Sequence, residues 1–224
     1  MNEHSFIRTK KVSRRTVIET RGKTPEKYLR ILEAAVKVFA KQGFHQSTVS
    51  QIAKEAGVAD GTIYLYFKNK DDILVQFFSY KAKQVFTRFR EDVDRADNSI
   101  DKLRNLVRRH LEEFQRDRDM AAVYQTMTYP DCPLVKEQRK AMSKLYLDII
   151  SEIIEKGQEE GTLRKDLYLG LVKRFILGAV DSVINTWLYS GRKYDLVPMA
   201  DPLIDLFIRG IGNTEKGMMN DGKV

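Results

Sequence analysis

Apolar residues recur along this chain at the three- and four-residue spacing of helices, with no stretch of two-residue alternation long enough for a strand. The first run opens at Thr24-Pro25, a capping hydroxyl followed by a proline where its missing N–H costs nothing. It carries Ile31, Leu32, Ala35 and Phe39 and stops at Gly43, a residue able to take positive φ. The second opens on Thr48-Val49-Ser50-Gln51, the spacing of a capping box, and lines Val49, Ile52, Ala53 and Ala56 along one face as far as Gly57. A third, short run is read as capped by Asp60, with Ile63 and Phe67 turned inward. Asn69, followed by Asp71 and Asp72, caps a long fourth helix expected over 70–93. Further periodic stretches predict helices near 99–116, 118–128, 132–158, 166–190 and 196–211, with Asp166 read as a cap and Pro198 in a first turn. The expected fold is all-α with about nine helices: a basic arm over 1–23, a three-helix module over 24–69, a helical body over 70–211 and a tail over 212–224.

Two short helices joined by a tight glycine-containing turn, behind a longer one, form a helix-turn-helix. Charge sharpens that reading. The whole formal charge of +8 sits in residues 1–70, which hold 14 Lys/Arg against 6 Asp/Glu, while the remainder holds 25 against 25. A basic module on a neutral body calls for a polyanionic partner, and in this motif the second short helix enters the major groove of double-stranded DNA. The stretch "VADGTIYLYFKNKDDIL", residues 58–74, spans that helix and the start of the next. Gly61 permits a close backbone approach, and Thr62 and Tyr66, four apart, are expected to share the exposed face with Tyr64 flanking them. Their hydroxyls suit phosphates, and a threonine methyl suits the thymine methyl. Lys68 and Lys70 fall where phosphates would pass, and Thr48 and Lys70 each open a helix whose free N–H groups favour an anion. Each residue also has a plainer use: Thr48 as a cap alone, Tyr64 in packing, Lys68 merely solvated.

Residues 28–74 resemble the DNA-binding domain of TetR-family transcriptional repressors, on Gly43-Phe44, Thr48, Ile52-Ala53, Ala56-Gly57-Val58, Gly61, Tyr64, Phe67 and Lys70. The resemblance implies an all-α homodimer that binds an operator, with a C-terminal domain where a small effector relieves repression. A second likeness is carried by "YLYFKNKDDIL" and "GAVDSVINTWLYSGRKYDLV", residues 178–197, which are similar to the FadR-type repressors of fatty-acid degradation in bacilli. It implies long-chain acyl-CoA as effector. Phe78, Phe114, Tyr124, Met127 and Trp187 are the candidate lining of an acyl site, and Arg104 and Arg108 the candidate cations for the Coenzyme A head. His110 reads as a core or pocket histidine. Gly178 allows close approach of a second subunit, with Trp187, Leu203 and Phe207 supplying contact area. A repressor of a drug-efflux gene shares the same DNA module and stays open as the alternative; Asp181 with Trp187 would then cage a cationic ligand.

Other classes find little support. No run of 18 apolar residues marks a membrane span, and the N-terminus lacks the apolar segment of a secretory signal. A single cysteine, Cys132, makes no internal disulfide and fits a reducing, cytoplasmic setting. Histidines at 4, 45 and 110 share no metal-ligand spacing, and neither a nucleophile elbow nor a P-loop occurs, so no metal, cofactor or enzyme activity is expected.

Overall fold

A computed structural model describes residues 26–126, 133–190 and 194–212. Among them are nine α-helices: α1 (Glu26–Gln42), α2 (Val49–Ala56), α3 (Asp60–Tyr66), α4 (Lys70–Asp94), α5 (Ser99–Arg116), α6 (Arg118–Thr126), α7 (Pro133–Glu160), α8 (Leu169–Tyr189) and α9 (Ala200–Ile211). The basic arm, the Thr24-Pro25 start, Met127 and the tail from residue 213 lie outside the described residues.

The helix ends show local chemistry at work. Thr48 accepts from the Gln51 amide at 3.2 Å and its own amide donates to Gln51 Oε1 at 2.8 Å, the expected capping box. Gly57 then takes φ 63°, a left-handed conformation, and the Val58 amide returns to the Ala53 carbonyl at 3.0 Å. That single turn fixes the angle between α2 and α3. Asn69 accepts from the Asp72 amide at 2.8 Å, as expected. Two expected caps are displaced. Asp60 is the first residue of α3 rather than its cap; Ala59 holds that position without a side-chain bond, and the Asp60 carboxylate acts only through the helix dipole. Asp166 pairs with Arg164 instead, and Tyr168 precedes α8.

One continuous core runs through both halves of the molecule. Ile31, Leu32 and Phe39 of α1 bury against Ile52, Ala53 and Ile63 in the helix-turn-helix. Phe67 follows α3 and stacks on Tyr28 of α1 with centroids 5.1 Å apart. Leu74, Phe77 and Phe78 of α4 carry the core onward to Leu106, Val107 and Leu111 of α5 and Ile150, Ile153 and Ile154 of α7. At 25 residues, α4 spans about 37 Å and belongs to both halves.

Candidate DNA-binding face and effector core

On α3, Gly61, Tyr64 and Leu65 are exposed, and Lys68 just beyond its end is exposed as well. The spacing of three and four from Gly61 places Tyr64 and Leu65 on its side of the helix, while Lys68 follows the extended Phe67. Tyr64 is 60% and Leu65 80% exposed, which is unusual for large side chains unless the surface meets a partner. Gly61 is the informative member. Its φ is not positive, and a Cβ there would meet nothing within 4 Å. Nothing among the described residues requires a glycine there, which leaves room for an outside body as the reason. Thr48 is exposed at the start of α2, and Thr62 is half-buried beside the stripe.

Two expected DNA contacts are placed differently. Tyr66 does not share an exposed face with Thr62: it is half-buried with its ring 6.3 Å from Tyr28, because the packing of α3 on α1 needs an aromatic there. The exposed tyrosine is Tyr64. The Lys70 ammonium donates to the carbonyls of Phe44, His45 and Ser47 at 2.9, 3.0 and 3.1 Å and sits 4.6 Å from the Phe44 ring centroid. An ammonium has three donors, and all three are used. Lys70 therefore clamps the α1–α2 loop to α4, whereas Lys68 is exposed and bonded through its amide, to Asp72. Leu65 had a signal in the sequence, four residues beyond Gly61, but a leucine reads as core by default.

In the second half, aromatic rings from four helices meet. Tyr124 of α6 packs edge-on to Phe114 of α5 at 5.4 Å and to Phe78 of α4 at 6.2 Å. His110 lies 5.0 Å from Phe114 and 4.8 Å from Tyr146 of α7, and Phe89 touches both His110 and Tyr146 at 5.6 Å. Phe78, Phe114 and Tyr124, proposed from sequence, are thus brought together. Within this core His110 Nδ1, the Tyr146 hydroxyl and Asp181 Oδ1 of α8 are buried without a hydrogen-bond partner. Burial alone lowers the His110 pKa to about 3, and burial first, then the nearby Asp181 charge, pushes the Tyr146 hydroxyl up. Burial also raises Asp181 to about 6 against the opposing charge of Arg139. Asp181 is raised because desolvation outweighs that cation.

Three other expectations change. Arg104 and Arg108 do not stand free: Arg104 reaches Asp201 at 2.8 Å and Asp205 at 3.6 Å, and Arg108 reaches Asp201 at 2.9 Å. They tie α5 to α9, and their hydrogen bonds hold the Asp201 carboxyl below its ordinary range. Trp187 is buried within its own chain, donates to the Tyr194 carbonyl at 2.8 Å and has the Arg118 guanidinium 4.4 Å from its ring centroid. It joins neither the aromatic cluster nor an outer face, and the cation beside its ring is the chain's own Arg118. Phe207 is only 1% exposed and packs inside its own subunit.

The outer face of α8 and α9 is formed by other residues. Tyr168, Leu171 and Phe175 are 76%, 65% and 57% exposed, in line with Gly178, where a Cβ would meet nothing within 4 Å. Leu206 on α9 is 68% exposed, with Leu203 half-buried beside it.

This arrangement has known counterparts. Residues 31–77 match the family described as bacterial regulatory proteins, tetR family, and residues 78–210 match the family described as YsiA-like protein, C-terminal region. The chain belongs to the TetR family. Its similarity extends over both halves of characterised members. It is 38% identical over 187 residues to the fatty acid metabolism regulator protein of Bacillus subtilis (strain 168), covering 84% of this chain and 96% of that one. Among solved structures, the fatty acid degradation regulator FadR from Bacillus halodurans superposes with TM-score 0.79 at 35% identity, over 84% of this chain and 98% of the other. FadR from Bacillus subtilis in complex with stearoyl-CoA superposes with TM-score 0.77 at 38% identity, over 82% and 99%. The relatives are transcriptional regulators. Among the described residues no helix is long and apolar enough to cross a membrane, and no three His, Cys, Asp or Glu gather as a metal site.

Proposed function

We propose that this TetR-family regulator represses genes of fatty-acid metabolism as a homodimer on a near-palindromic operator, and leaves that operator when long-chain acyl-CoA fills the effector core. The observation that carries the reading is the joint match of both halves to a regulator solved with stearoyl-CoA, with the aromatic core of Phe78, Phe114 and Tyr124 offering an apolar chain its surroundings. The exposed stripe of Gly61, Tyr64 and Leu65, with Thr48, Thr62 and Lys68 beside it, is the surface offered to DNA. The apolar stripes of α8 and α9, through Gly178 and Leu203 to Leu206, are the surface offered to the second subunit. Two recognition helices would then stand about 34–36 Å apart, one turn of DNA.

Release follows from α4. Its first two turns are fastened to the DNA module through Lys70 and through Tyr28, which donates to Gln76 at 2.9 Å. Its far end is fastened to α5, where Arg88 meets Glu113 at 3.0 Å. Phe78 lies between the two fastenings and faces the aromatic core. A ligand that parts Phe78 from Tyr124 favours a state in which α4 is displaced and the two recognition helices lose their spacing. A coupling of ~1–3 kcal/mol would weaken operator binding ~5–150-fold.

The test is operator binding by fluorescence anisotropy, with thermal unfolding in parallel, against palmitoyl-CoA, stearoyl-CoA, free CoA and palmitate. At 100 times its dissociation constant a true effector adds ~2.7 kcal/mol of stability. Stabilisation and operator release by the long thioesters, and by neither half-molecule, is expected. Operator affinity unchanged at saturating acyl-CoA would rule the reading out.

A further inference from the structure

The effector core contains more polarity than an alkyl chain can use. His110 Nδ1, the Tyr146 hydroxyl and Asp181 Oδ1 come from α5, α7 and α8, three helices that also share the apolar core. His110 is 6% and Tyr146 3% exposed, and their ring centroids lie 4.8 Å apart. Asp181, on α8, is near enough to bear electrostatically on both Tyr146 and Tyr124. A buried polar atom without a partner costs free energy comparable to a lost hydrogen bond. Three such atoms around one aromatic core call for a partner from outside the chain, and a polar group on a ligand can supply it.

The chemistry of the three groups narrows the visitor. A tyrosine hydroxyl donates and accepts, a carboxylate only accepts, and a neutral imidazole nitrogen does one or the other. Methylene groups answer none of them. A thioester carbonyl answers the Tyr146 hydroxyl but has nothing to donate to Asp181. An anionic head is repelled by that carboxylate, and a cationic one is less needed because Arg139 already bears on it. A hydroxyl donates once and accepts twice, so it can serve Asp181 and Tyr146 together.

We propose that this cluster receives a hydroxyl carried on the acyl chain, so that the regulator binds hydroxylated long-chain acyl-CoA in preference to the unsubstituted chain of the same length. The inference rests on the acyl-CoA reading above and adds to it a choice among acyl chains. Phe114 and Tyr124 on one side and Phe89 on the other flank His110 and Tyr146, which places the polar point within the apolar path.

The experiment is calorimetric titration of the full chain with palmitoyl-CoA, 3-hydroxypalmitoyl-CoA and 16-hydroxypalmitoyl-CoA, and with stearoyl-CoA and 12-hydroxystearoyl-CoA. At least one hydroxylated thioester should bind about tenfold tighter than its unsubstituted partner, the ~1.4 kcal/mol of one net hydrogen bond. Tyr146→Phe, which keeps the ring, and Asp181→Asn should each bring the ratio of hydroxylated to unsubstituted affinity close to one, whatever they do to the affinity of the unsubstituted chain itself. The proposal is overturned if the wild-type chain binds every hydroxylated thioester no tighter than its partner, the result expected when water alone fills the cluster. It is equally overturned if preference exists and survives both substitutions. Failure of all five thioesters to bind would instead remove the acyl-CoA reading itself, and the two failures are told apart within one titration series.

Discussion

Two lysines two residues apart, Lys68 and Lys70, separate electrostatics from architecture. With all three donors on loop carbonyls, Lys70 holds the helix-turn-helix to α4. Lys70→Met keeps the stem and strips three carbonyls of a charged donor, at a cost of ~1.5–3 kcal/mol by the usual worth of such bonds. The melting temperature should fall by several degrees, while the salt dependence of operator binding keeps its slope. Lys68→Ala should do the reverse: an unchanged melting temperature, weaker binding on all sequences, and a slope of log affinity against log salt lower by ~1 for each chain. Equal salt slopes in the two variants would contradict this division. Deeper in the chain, His110 and Asp181 make opposing contributions to acid stability. His110 has its pKa lowered from 6.5 to about 3, so its share of stability is present above pH 6.5 and is lost as pH falls toward 3. Asp181 is raised from 3.8 to about 6, so its share is present below 3.8 and is lost as pH rises through 6. A tenfold change in proton affinity corresponds to ~1.4 kcal/mol, and burial changes that affinity more at His110 than at Asp181. Urea unfolding of Asp181→Asn should therefore show a steeper loss of stability between pH 6 and 4 than the parent, and His110→Gln a shallower one. Parallel curves for parent and both variants would show that neither group titrates as its burial implies.

At the scale of the element, α3 makes the sharpest prediction, because a substitution can improve the helix and harm the function. Gly61→Ala adds a Cβ that meets nothing within 4 Å at a residue of ordinary φ. Alanine is the better helix former by up to ~1 kcal/mol, so the variant should be at least as stable as the parent. It should nonetheless bind operator at least tenfold more weakly if the space over Gly61 is filled by DNA; unchanged affinity would place the DNA elsewhere. The same helix shows what the sequence could and could not reveal. The start and stop of α2, α4 and α5 were legible because Thr48, Gly57, Asn69 and the apolar periodicity are local signals, settled within a few residues of chain. Which of Tyr64 and Tyr66 faces outward was not, since the answer depends on Tyr28, 38 residues before Tyr66 and on another helix. Arg104 and Arg108 looked free for the same reason: their partner Asp201 lies 97 and 93 residues away. Trp187 and Phe207 had the right residue type for an interface, and periodicity says that a helix buries a face without saying against whom.

At the scale of the whole molecule, the proposed pairing of two copies makes its prediction through α8. Tyr168, Leu171 and Phe175 recur at spacings of three and four on one outward face, with open space over Gly178 a further three residues on. Leu206 of α9 adds to the same apolar surface. Four large side chains more than half exposed on and beside two neighbouring helices make an apolar surface suited to a partner that covers it. Self-association through an identical face gives a two-fold axis, and that axis is what turns one recognition helix into a reader of two half-sites. Phe175→Glu puts a charge at the centre of this stripe. Its ring touches Phe207 at 5.5 Å, so part of any effect will be on the fold, and Leu171→Glu supplies the control from a position without that contact. Both variants should elute as monomers and keep the helical circular-dichroism spectrum. Operator binding should suffer far more than half-site binding. A tethered second module sees its half-site at an effective concentration near millimolar, so losing the tether lowers affinity for the full operator by ~10²–10⁴-fold while leaving the single half-site contact as it was. Effector binding should survive in the monomers, because Phe78, Phe114, Tyr124, His110 and Tyr146 all belong to one chain. A monomer that still grips the full operator with parental affinity would mean that α8 and α9 cover their apolar face in some other way, and that the spacing of recognition helices is not what acyl-CoA controls.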